Sequence, residues 1–254
     1  MGRLIRGEFA KLLTTRLWLL LLLATMGLTA LFASLNIAFN DGPDTLAPPV
    51  ATAAGQRLLF GTAAGGAQTL VAVLAAIGMT SEYRHRTATT TFLTTPRRAQ
   101  VVAAKLITYA LVGAVYAVAC LAVVTAIAWP WLTARGIDPT LTGNGVPAAL
   151  AGVIGAVTLF ALLGVGLGAL LRDQVAAVVG LLVYLFVAEP IVTRIPALQD
   201  WTIYLPGPSA SALTQITLTD QTFLQPWRGG VMLTAYATAV AAGALWRTSH
   251  VDLT

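Results

Sequence analysis

A polytopic all-α membrane protein with six transmembrane helices is the fold class this sequence predicts, and three observations predict it. Only 10% of the 254 residues are charged and 57% are apolar, with a mean hydropathy of +0.79. A soluble domain has about a quarter of its residues charged. The apolar residues also form long unbroken runs, whereas strands of a membrane barrel alternate about every second residue. In lipid the backbone polar groups of each run have no water partner, and a helix satisfies them internally. Finally, Lys and Arg are divided unevenly between the connectors. One side holds Arg3, Arg6, Lys11, Arg16, Arg84, Arg86, Arg97, Arg98, Lys105, Arg172 and Arg247, and the other only Arg57, Arg135, Arg194 and Arg228. By the positive-inside rule the first side is cytoplasmic, and both termini lie there.

Residues 2–16 precede the first apolar run. At about 100° per residue, Ile5, Phe9, Leu12 and Leu13 share one helical face, and Arg3, Glu8, Lys11, Thr14 and Thr15 the other. That pattern predicts an N-terminal interfacial amphipathic helix over residues 1–16, lying in the headgroup plane, with Arg3, Ile5, Phe9, Lys11 and Leu12 as its main residues. The first span covers about 17–39. It is longer than a signal-peptide apolar core and is expected to be retained. Residues 40–57 are rich in turn formers and make an external loop.

The second span, about 58–80, contains Gly61, Ala63, Ala64, Gly65, Gly66 and Ala67. Small residues allow close helix approach in lipid, so bundle packing is preferred over a substrate groove for this stretch. Residues 81–105 hold the densest charge and form a cytoplasmic loop. Thr95-Pro96 reads as the N-cap and first residue of the next helix. Its first turns place Arg97, Arg98 and Lys105 in the cytoplasm. It then crosses over about 106–129 and leaves at Trp129 and Trp131, which suit an interface belt.

A loop at 133–146 leads to the fourth span, about 147–171. Arg172-Asp173-Gln174 is a tight inner turn, and the fifth span follows over about 175–192. The external segment 194–228 contains the LPGP break at Leu205–Pro208. It also contains the stretch 210–218, which is too short and polar to cross and is a candidate re-entrant segment before the sixth span at about 229–246. The whole chain, 1–254, reads as a single transmembrane domain.

Catalytic signatures are absent from the sequence. There is no GxxxxGK[ST] loop and no HExxH, and the only histidines, His85 and His250, lie in predicted cytoplasmic segments. Cys120 is the only cysteine, which excludes an intrachain disulfide or a cysteine-based zinc cluster. Ser34 has no histidine at membrane depth to serve as its base. Gly164, Gly166 and Gly168 form GxGxG inside an apolar run with no preceding strand, so helix packing explains them better than a dinucleotide site. The chain is therefore expected to carry no catalytic site, cofactor or metal of its own. The net charge of +5 sits beside apolar runs, and lipid headgroups explain it better than nucleic acid. Glu189, near the outer end of the fifth span, reaches headgroups, pairs with Arg194, or serves a pathway or gating role together with Tyr184.

Three stretches resemble the permeases of ABC-2 type exporters. The central one is Glu82-Tyr83-Arg84-His85-Arg86-Thr87, Leu93-Thr94-Thr95-Pro96-Arg97-Arg98 and Ala104-Lys105-Leu106. It is similar to the loop of that family, with Arg86 standing where the family has Gly. Glu8-Phe9-x-Lys11-Leu12-x-Thr14-Thr15-Arg16 is similar to the family's approach to its first span. Leu205-Pro206 and the following Ser/Ala run are similar to its segment before the last.

The resemblance implies a permease subunit that pairs with a second permease, the same or homologous. Each subunit would bind a cytoplasmic ATPase that carries the ATP and Mg. It implies a coupling helix after the second span, docked on the ATPase through Glu82, Arg84, His85, Arg86, Thr87, Phe92 and Leu93. It also implies passage of a hydrophobic or amphipathic drug, lipid or peptide out across the plasma membrane, between the two halves near the first, second and fifth spans. An importer permease lacks its own loop motif here, and a membrane-embedded enzyme lacks catalytic groups. A non-transporting scaffold or sensor subunit is the alternative.

Overall fold

The computed structural model describes residues 1–39, 47–84, 98–216 and 224–250, without the side chains of 82–84, 98, 99, 245 and 247–250. Every regular element among them is helical. In chain order they are α1 (Gly2–Thr14), α2 (Leu17–Phe39), α3 (Ala53–Arg84), α4 (Arg98–Ala134), α5 (Val146–Leu171) and α6 (Gln174–Val183). A π-helical turn (Tyr184–Ala188) and α7 (Glu189–Thr193) follow. A short 3-10 turn, α8 (Gln199–Thr202), α9 (Pro206–Leu213) and α10 (Pro226–His250) complete the chain.

Five helical stretches are long and apolar enough to cross a membrane: Leu17–Phe39, Ala53–Ser81, Gln100–Ala134, Val146–Leu171 and Gln174–Thr193. The helices outrun the apolar runs that mark them. α3 begins before Leu58 and α4 continues past Trp129, because helical hydrogen bonding persists where the chain has turned polar. α10 is a further long helix packed along α5.

α5 lies at the centre, against α3, α4 and α10. Its small-residue face makes this packing possible. A Cβ on Gly164 would collide with the Ala72 carbonyl, one on Gly168 would meet the Ala76 carbonyl at 2.9 Å, and one on Gly166 would press on Val240. The GxGxG run is thus the contact face of α5, with two helices on it. In lipid, apolar side chains gain little by leaving the solvent, so dispersion between closely approaching backbones holds such helices together.

α2 and α6 are peripheral and present rows of exposed side chains, such as Leu20, Leu23 and Leu31 on α2 and Val175, Val179 and Val183 on α6. Trp129, Trp201 and Trp227 are exposed at the end of the bundle that also carries the 47–52 and 135–145 loops. That end is fastened by polar side chains on backbone. Gln56 donates to the Asp138 carbonyl at 3.1 Å and accepts from the Thr140 N–H at 3.3 Å. Arg57 donates to the Asn144 carbonyl at 2.7 Å, and Arg135 to that of Ile37 at 2.8 Å. At the opposite end Arg172 adopts a left-handed conformation and Asp173 caps α6 by accepting from the Ala176 N–H at 2.7 Å, which makes the predicted tight turn.

A test of the central packing follows. Gly164→Val should destabilise the protein by about 2 kcal/mol through overpacking. Gly180→Ala, where a Cβ meets no atom within 4 Å, should cause no loss. Thermal unfolding of the two variants in one detergent checks the difference.

Candidate functional site

Two polar joints and one groove stand out. The first joint lies where α1, the end of α3 and the start of α4 meet. Lys105 is 1% exposed and donates to Glu8 Oε2 at 2.6 Å. Lys11, on the next turn of α1, donates to Glu8 Oε1 at 2.7 Å. Lys105 also approaches the Gly78 carbonyl at 3.4 Å, so a single ammonium touches both α1 and α3. A buried charge is costly unless paired and hydrogen-bonded. Here both carboxylate oxygens are engaged, and Lys11, the outer partner, is half-exposed.

This joint corrects the sequence reading in two places. Lys105 is not a solvated cytoplasmic cation but an enclosed one. Glu8 does not belong to the polar face of α1: it is buried beside Leu12, whereas Leu13, expected to face inward, is 57% exposed. The spacing held the clue, since Ile5, Glu8 and Leu12 follow the three-then-four rhythm of one helical face. Of the other residues assigned to α1, Arg3 is exposed, Ile5 is half-buried and Phe9 packs on the core.

The second joint is Glu189. It is 5% exposed, and its Oε1 accepts from the Gly207 N–H at 2.6 Å. The reason lies in the LPGP sequence. A helix leaves its first N–H groups without intrahelical partners. In α9, Pro206 and Pro208 have no N–H, and the Ser209 N–H reaches the Leu205 carbonyl at 2.9 Å. Gly207 therefore holds the one orphan donor of that turn, and Glu189 caps it across 18 residues of chain. A Cβ at position 207 would lie 2.7 Å from Glu189 Oε1, so a side chain there would displace the carboxylate from its cap.

Glu189 neither pairs with Arg194 nor reaches out to headgroups; among the described residues it has no cationic partner. Its placement depends on the π turn just before it. The Glu189 N–H bonds to the Tyr184 carbonyl, five residues back, and Pro190 supplies no donor to the turn. Tyr184 is half-buried and opens this turn, but it does not line the groove described next.

That groove has a volume of about 1260 Å³ and is bounded by α2, α3, the α6–α7 run and the α8–α9 segment. Leu28 and Phe32 form one wall and Leu182, Leu185 and Phe186 another, with Gly65 and Gly66 between them. Gly65 has nothing within 4 Å of a would-be Cβ, so the glycine opens the space. Ala63, Ala64 and Ala67 are buried in the core. The small-residue stretch thus divides between packing and groove. Polar groups in the lining include Gln68, Thr69, Ser211 and Glu189.

α9 packs into the bundle rather than lying outside it. Ser209 is fully buried, Leu213 covers Gly152 and Gly230, and the Ile216 side chain sits on Gly61. Of the residues assigned to ATPase coupling, Glu82 and Arg84 belong to the last turn of α3, with side chains outside the described residues. His85, Arg86, Thr87, Phe92 and Leu93 lie outside the described residues altogether, as does the Thr95-Pro96 helix start. Among the described residues, no group of His, Cys, Asp or Glu gathers as metal ligands. No protein-family model matches the chain, and no curated protein matches it.

Each joint makes a measurable prediction. Lys105→Met, which strands Glu8, should cost about 3 kcal/mol, near the low end for breaking a buried pair because Lys11 remains. The charge swap E8K/K105E should recover part of that loss in thermal unfolding. Glu189→Ala leaves the Gly207 N–H unpaired and should cost about 1–3 kcal/mol, whereas Glu189→Gln keeps an acceptor and should lose less than half as much.

Proposed function

We propose that this chain is the transmembrane permease subunit of an ATP-driven ABC-2 type exporter. Six helices would cross the plasma membrane, α10 being the sixth, with both termini cytoplasmic. The observation that carries this reading is the first joint. Lys105 ties α4 to Glu8 of α1 and approaches Gly78 of α3. The two helices that lead into and out of residues 85–97, and the amphipathic helix beside them, therefore form one mechanical unit. A loop docked on an ATPase needs that property, because its displacement has to reach the spans rather than be absorbed by slack.

In this mechanism ATP binding closes two partner ATPase subunits and moves the docked loops. α3 and α4 follow as stiff rods, and α1 moves with them. The two permease halves then change their relative arrangement, a rigid-body switch between access states. Glu82, Arg84, His85, Arg86 and Thr87 would supply polar contacts to the ATPase, and Phe92 and Leu93 apolar ones. The groove between α2, α3 and the α6–α7 run lies by the spans that the family resemblance implies for passage, and its walls suit a hydrophobic or amphipathic cargo. The hydrolytic chemistry and its ATP and Mg would reside in the partner.

Isolation of the tagged chain in mild detergent from its own membranes tests this. A nucleotide-binding subunit should co-purify in stoichiometric amount, and Glu82→Ala with Phe92→Ala should reduce its recovery at least about tenfold, a loss of 1.4 kcal/mol or more, without changing membrane insertion. A second permease in the same fraction would distinguish a heterodimer from a homodimer. Absence of any ATPase, from membranes that contain one, would favour a non-transporting scaffold or sensor.

A further inference from the structure

We propose that the groove binds amphipathic amines, molecules with a cationic N–H head on an apolar body, and that Glu189 and Gln68 recognise the head. This deepens the exporter reading and rests on it for the ligand's role as cargo. Leu28, Phe32, Leu182 and Phe186 offer an apolar body two facing walls. At about 1260 Å³ the groove exceeds the 300–1,000 Å³ typical of sites for drug-sized molecules, so it has room for a chain or a ring system.

The polar groups set the head's chemistry. Gln68 Oε1 is enclosed and has no hydrogen-bond partner among the described residues. Glu189 uses Oε1 on Gly207, and among the described residues Oε2 receives no hydrogen bond and no cation lies at ion-pair distance. Two residues of the lining therefore each carry an oxygen acceptor without a donor among the described residues, one of them on a carboxylate. A cationic N–H group satisfies both kinds. A carboxylate head would face Glu189 with like charge. A head without N–H or O–H would leave the acceptors unpaired, and buried unpaired acceptors cost binding energy. Arg194 also lines the groove but is exposed on its outer part. Solvent and salt screen it within about 10 Å, whereas the 5% exposed Glu189 acts through a medium of low dielectric.

The experiment uses the full chain in nanodiscs of zwitterionic lipid, with empty discs as background. The probes are a long-chain primary amine with a fluorophore at its tail, the same molecule N-acetylated, and its carboxylic-acid counterpart. The amine should bind saturably and at least about tenfold more tightly than the acetylated form, a difference of 1.4 kcal/mol. In Glu189→Gln, which retains the acceptor for Gly207 and so the fold, that preference should shrink to within about twofold, a residual difference near 0.4 kcal/mol. Gln68→Leu should weaken the amine without making the acid preferred. Equal binding of amine and acetylated probe, tighter binding of the acid, or an unchanged preference in Glu189→Gln would overturn the proposal. Because no ATPase is present, the exporter reading stands or falls separately. If the amine binds as expected but no nucleotide-binding subunit co-purifies with the chain from its own membranes, the ligand assignment holds and the exporter reading fails.

Discussion

Gly164 of α5 resting on the Ala72 carbonyl of α3 is the contact on which the bundle depends. Two helix backbones come close enough there that no side chain fits between them. In water, burying large apolar residues would hold the same helices together, but a lipid chain solvates Leu as well as another Leu does. Association must then come from dispersion at short range and from the few polar groups that find partners. α5 concentrates its glycines where α3 and α10 pass, and places larger residues such as Phe160 and Val165 to fill the flanking space. The peripheral α2 and α6 lack such a face, and they bear rows of exposed apolar side chains.

Against that background each buried polar group needs a specific account. Among the described residues two carboxylates, Glu8 and Glu189, are enclosed, and each solves a separate problem. Glu8 neutralises Lys105 at the junction of three helices, where the ammonium is buried. Glu189 answers a deficit made by sequence: two prolines strip α9 of donors, leaving one N–H, and the π turn ahead of Pro190 brings a carboxylate to it. One joint fixes the helix that enters the bundle, the other the segment that closes over the groove. They lie at opposite ends of the spans; between them the bundle is held by packing and by the Tyr116 hydroxyl of α4, which donates to the Trp18 carbonyl of α2.

The helical runs were legible because apolar composition and length report directly on what a bilayer requires. The limits of α2 and α5 agree with the sequence within a residue, since charged or turn-forming residues adjoin them. α3 and α4 extend well beyond the predicted spans, because hydropathy marks where lipid ends and not where hydrogen bonding does. The polar joints were not legible in the same way. Glu8 and Lys105 are 97 residues apart, and no local pattern links them. Arg194 was the nearer partner on offer for Glu189, but the actual partner is a backbone N–H, which composition never reveals. The arginines of the outer connectors entered only as charges to be counted, whereas Arg57 ties down the Asn144 carbonyl of a loop and Arg135 the Ile37 carbonyl at the end of α2.

The groove follows from these same constraints. A wall can be opened in a close-packed bundle only where a side chain is missing or a helix bends. Gly65 removes the side chain, and the π turn with Pro190 interrupts the regular helix of the facing run. Both features lower local packing, and the Glu189–Gly207 bond restores cohesion at the groove's edge rather than across it. A cavity lined by Leu and Phe would collapse onto itself or fill with lipid if α2 and α6 were free to approach. α9, through its own residues and those just after it, is seated against Gly152 of α5, Gly229 of α10 and Gly61 of α3 at the loop end. The space is thus a built feature of the fold. Its shape is set by backbone chemistry at three glycine contacts, and its polarity by one carboxylate held in place by a helix that has no other free donor in its first turn.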